Sequence, residues 1–112
     1  MNDIRIEKIE TPRLSPMEAL VRVTLSLPQA AEDIQIRGNM TGPTCPGTST
    51  IEIAYPWRMM KPPSPNQIIV EAVIPEPNLW SPETPFTYHG RVDVWSRDKR
   101  IGTISFSHQL NG

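Results

Sequence analysis

Cysteine, histidine and net charge are all scarce in this sequence, and each scarcity removes a class of function. A single cysteine, Cys45, allows no internal disulfide, and with only His89 and His108 as histidines a Cys/His metal cluster cannot be assembled. No metal or cofactor is therefore expected. Eleven Lys and Arg against twelve Asp and Glu give a net charge of -1, without the basic excess of a nucleic-acid or anionic-membrane binder. No run of about 18 apolar residues occurs, so no transmembrane helix is expected. The charged opening MNDIRIEKIE also lacks the apolar stretch of a signal peptide, which leaves the compartment open.

What the sequence has in abundance is proline: thirteen in 112 residues, well above the usual usage of about 5%. Each one removes an amide donor and fixes φ, so few windows remain for a long helix. Between the prolines the apolar residues alternate. In MEALVRVTLSL, residues Ala19, Val21, Val23, Leu25 and Leu27 share one parity, with Glu18, Arg22, Thr24 and Ser26 on the other. The same period of two places Ile4 with Ile6 and Ile34 with Ile36. It also groups Ile51, Ile53, Tyr55 and Trp57, then Ile68, Val70, Ala72 and Ile74. Near the C-terminus it aligns Phe86, Tyr88, Val92 and Val94, and finally Ile104, Phe106 and Leu110. About seven antiparallel strands bounded by turn residues predict an all-β sandwich, because two sheets can each bury one face in a shared core. One domain spans residues 1–112. The stretch WSRDKRIG reads as a hairpin between the last two strands, and RMMKPPSPN (58–66), with three prolines and no period, reads as a crossing loop.

The residues offer no catalytic constellation: no paired carboxylates are placed together, and neither histidine has a sequence neighbour that would make it a base. Cys45 stands in a turn between Pro43 and Pro46 with no adjacent cation to lower its pKa, and reads as an inert thiol. His89 falls on the solvent parity of its strand. Aromatic rings carry the remaining binding chemistry, since sugars stack on exposed Trp and Tyr. Tyr55, Trp57 and Trp95 are the candidates, weighed against the plainer reading that they cover the sheet ends.

Residues 73–88 read VIPEPNLWSPETPFTY, an apolar strand end followed by Leu79, Trp80, Pro82, Glu83 and Pro85, then an aromatic strand start containing Tyr88. The four prolines at 75, 77, 82 and 85 stiffen a long crossing connection. Leu79 and Trp80 are expected to plug the open end of the core, and Glu83 to accept hydrogen bonds from loop amides. This segment resembles the signature of the immunoglobulin-like β-sandwich domain in glycoside hydrolase family 2, the β-galactosidase, β-mannosidase and β-glucuronidase type. Looser likeness extends over nearly the whole chain. The resemblance departs at the C-terminus, where a Phe-Gly-Phe-Arg segment leads into the family's catalytic barrel and this chain has Phe106, Ser107, His108 and Gln109. In that family the catalytic acids lie in the barrel, so the resemblance implies a noncatalytic accessory module linked to carbohydrate processing. Its partners would be neighbouring domains of a larger chain. The alternative expectation is a stand-alone carbohydrate-binding or protein-interaction module.

Overall fold

The computed structural model describes residues 4–111, which form eight strands and no helix. They are β1 (Arg5–Leu14), β2 (Glu18–Ser26), β3 (Ile34–Thr44), β4 (Ile53–Pro56), β5 (Arg58–Met60), β6 (Gln67–Pro75), β7 (Thr87–Ser96) and β8 (Lys99–His108). Every neighbouring pair is antiparallel. One sheet has the order β1-β2-β6-β5 and the other β4-β3-β7-β8. Two four-stranded sheets wound in this order make an immunoglobulin-like β-sandwich.

The alternation read from the sequence is the core. Ala19, Val21, Val23 and Leu25 of β2 face Ile68, Val70, Ala72 and Ile74 of β6 in register, and all eight are buried. Across the interior they meet Met40 of β3 and Tyr88, Val92 and Val94 of β7. Removing this much apolar surface from water drives the fold. The last hairpin turns at Arg97 and Asp98, both at positive φ (50° and 64°), which is the two-residue turn that matches strand twist.

Two expectations need correction. Residues 58–66 are not all loop: Arg58–Met60 form β5, pairing with Glu71, Val70 and Ile69. Three residues are too few to show a period, and the strand exists because the amides of β6 need partners at that edge. Ile51 and Ile53 do not join the core face of Tyr55 and Trp57. They are 84% and 51% exposed, because β4 begins only at Ile53, where the second sheet ends.

Between β4 and β5 the chain passes from one sheet to the other, and Trp57 is the residue at that crossing. It is buried, its indole N–H donates to the Arg91 carbonyl at 2.8 Å, and its ring leans on Phe106 at a centroid distance of 6.1 Å. Opposite this point stands Gly38, at φ 109°, where an added Cβ would lie 2.2 Å from that same Arg91 oxygen. Gly38→Ala therefore combines left-handed strain with a backbone clash. Urea unfolding should show it less stable by about 2–4 kcal/mol. Gly47→Ala, also at positive φ but facing open space, should cost only about 1 kcal/mol.

Candidate functional site

The LWSPETP connection runs from β6 in one sheet to β7 in the other and closes one end of the sandwich. Tyr88, buried at the start of β7, turns its hydroxyl back to accept the Asn78 amide at 3.0 Å. Burial pushes its phenol above the usual 10.0, partly offset by that amide. The Trp80 amide donates to the Leu110 carbonyl at 2.9 Å. Leu110, fully buried, is the side chain that plugs this end of the core. Trp80 is half-buried and Leu79 is 42% exposed, so the expected plug is displaced to a residue far along the chain. Glu83 is likewise exposed and, among the described residues, accepts no bond. Ser81 caps the turn instead, its hydroxyl accepting the Thr84 amide at 3.1 Å. Pro82 is exposed and Pro85 half-buried in the same turn.

The aromatic candidates do not form a common platform. Tyr55 pairs with Met40 on the inner face, and Trp57 is inside the sandwich. Trp95 lies on the outer face of the second sheet, with the Arg37 guanidinium 4.4 Å from its ring centroid, a cation–π arrangement that covers the ring. Its indole nitrogen is buried and unpartnered among the described residues. Cys45 is buried, in a bridge with Thr48.

The two histidines have different surroundings. His89, exposed, has Ser107 Oγ 3.2 Å from Nδ1 and Thr44 Oγ1 3.2 Å from Nε2. Serine next to histidine is the beginning of a nucleophilic dyad, yet the third group here is a hydroxyl and not an orienting carboxylate. His108 sits half-buried where the edge strands β1 and β8 approach each other, its Nε2 2.9 Å from Thr11 Oγ1. Among the described residues no group of three His, Cys, Asp or Glu is placed to hold a metal.

A polar site that the alternation did not reveal lies on the outer face of the first sheet. It is a shallow depression of about 530 Å³ between β1, β2, β6 and the start of the β5–β6 connection. On its floor Arg22 Nε bonds Glu71 Oε2 at 2.7 Å, with Arg22 Nη1 3.8 Å from Glu10 Oε1. Gln67 donates to Glu7 at 2.9 Å along one side. Glu71 is only 5% exposed although it points outward from its sheet, and Thr24 beside it is also buried. The sequence signal existed in the parity of Arg22 and Glu71. Their juxtaposition depends on a pairing between residues 49 apart, which alternation does not give.

No family model matches the chain, and no curated protein matches it.

Two measurements follow from these geometries. Burial lowers the His108 pKa below 6.5, so the folded chain favours the neutral ring. The unfolded chain then takes up the proton more readily, and the ring's contribution to stability, full above about pH 6.5, declines as pH falls through and below that value. Between pH 7.5 and 5.5 the urea midpoint should fall further for the wild type than for His108→Gln. Arg22→Ala leaves the Glu71 carboxylate buried without its cation, and should lower the stability measured at pH 7 by about 2–3 kcal/mol.

Proposed function

We propose that the chain is a noncatalytic β-sandwich accessory module that packs one of its ends against a neighbouring domain. The observation that carries this reading is where five of the seven large exposed apolar side chains among the described residues lie, Met59 and Met60 standing apart on the edge strand β5. Met17, Ile51, Ile53 and Leu79 are 75%, 84%, 51% and 42% exposed, and the strand register puts all four at the end crossed by the LWSPETP connection. Val73 is beside them at the end of β6. Single exposed apolar residues are ordinary, whereas several gathered at one end mark an interaction surface.

The loops that carry Met17 and Leu79 are already stiff. Prolines fix the 75–85 connection, while the Met17 carbonyl accepts the Glu76 amide at 2.9 Å and joins the two loops. A surface ordered in advance loses less entropy on docking. The link to carbohydrate processing rests on the resemblance of residues 73–88 to the family 2 glycoside hydrolase sandwich.

The native polypeptide should be detected in source-cell extracts, with an antibody against this domain, at several times 12.6 kDa. Radical footprinting should label Met17 and Leu79 strongly in the isolated domain and weakly in that larger polypeptide. A native band near 12.6 kDa, or equal labelling in both forms, overturns the reading.

A further inference from the structure

We infer that the depression on the outer face of the first sheet is a binding site for a neutral polyhydroxyl ligand of pyranoside size. Two observations point there together. Apart from the Tyr88 and Trp57 rings, whose polar atoms bond backbone groups, Thr24 and Glu71 (9% and 5% exposed) are the buried polar or charged residues among the described ones, and both line this one depression. Neither is inside the sandwich: β2 and β6 turn their apolar parity inward, so these two belong to the outward parity, where a sheet has no structural need to bury a carboxylate. Burial of a charge is costly, and it is maintained here by Arg22. The floor of the site is thus fixed before any ligand arrives, as specific polar recognition requires.

The charges lining the depression decide the ligand class. Glu7, Glu10 and Glu71 are matched by Lys8, Arg22 and Lys61, so the site has no net charge. A phosphate or carboxylate ligand would meet three carboxylates, and an amine would meet three cations. A hydroxyl group both donates and accepts, and adjacent hydroxyls can engage a carboxylate or guanidinium edge through two bonds at once. The Arg22–Glu71 and Gln67–Glu7 bonds hold these groups in place and leave further lone pairs and N–H groups to spare. Along one wall Met60, Pro63 and Ile69 supply apolar surface of the kind that receives the C–H face of a sugar ring. The volume, about 530 Å³, suits a small ligand and not a macromolecular surface.

This site is distinct from the proline-rich end of the sandwich, so either assignment can fail without the other. The test is an NMR titration of the isotope-labelled chain with methyl β-glucoside, methyl β-galactoside and methyl α-mannoside, each to about 50 mM. At least one should give saturable shifts at the Met60 and Ile69 methyls and the Thr24 and Glu71 amides, with Kd on the order of 1 mM. Glu71→Gln should weaken that binding at least about fivefold. Glu10→Gln, at a half-buried position that leaves the Arg22–Glu71 pair intact, should weaken it about two- to fivefold in a chain with an unchanged amide spectrum. Absence of saturable shifts with all three glycosides overturns the inference. So does binding that maps to the second sheet, or that both variants leave unchanged. Tighter saturation of the same residues by inorganic phosphate or spermidine overturns the neutral-ligand assignment.

Discussion

Of the three places where the chain changes sheets, the passage from β4 to β5 is the shortest, and the side chain at that crossing, Trp57, ties the two layers together. Its indole is buried, so the N–H must find an acceptor inside the protein, and it finds the Arg91 carbonyl on β7. Other features of the second sheet adjust to this contact. Gly38 leaves room at the same carbonyl, and Gly90 leaves room for Phe106, the ring on which Trp57 leans, since a Cβ at position 90 would fall 2.2 Å from it. The glycines are where they are because an aromatic bridge and an unstrained backbone cannot share that space with a methyl group.

The outer surfaces divide into regions of different character. At one end, exposed apolar side chains gather around the proline-stiffened connection. On the outer face of the first sheet, acids and bases are paired in a hollow. The outer face of the second sheet carries Arg37 over Trp95, and Asp93 binding both Arg91 and Thr103 at its carboxylate. The three regions are separated by the geometry of a sandwich, whose ends are made of loops and whose faces are made of outward parities.

The core was legible in the sequence because period-two alternation reports one physical fact, which side of a strand is dry. Val21, Val23, Val70 and Ile74 could be assigned from it directly. It failed where no such asymmetry is present. β5 is too short to alternate, and Ile51 continues the parity of its strand beyond the point where the sheet stops covering it. It was also silent about the Arg22–Glu71 pair and the Thr11–His108 contact, which span 49 and 97 residues. Those contacts depend on strand order, and only the fold supplies it. Glu83 illustrates the opposite error: a carboxylate between two prolines suggested a cap, but the shorter Ser81 hydroxyl reaches the turn amide first.

The strand order also dictates when the molecule can exist. The central pair of each sheet, β2 with β6 and β3 with β7, joins one strand from the first half of the chain to one from the second. Until about residue 75 has been synthesised, the apolar face of β2 has only the edge strand β1 beside it, and neither sheet has its middle. A nascent or truncated chain ending at the PPSP segment therefore displays a long, dry, β-forming surface with nothing to cover it, and during that interval association with other chains competes with folding.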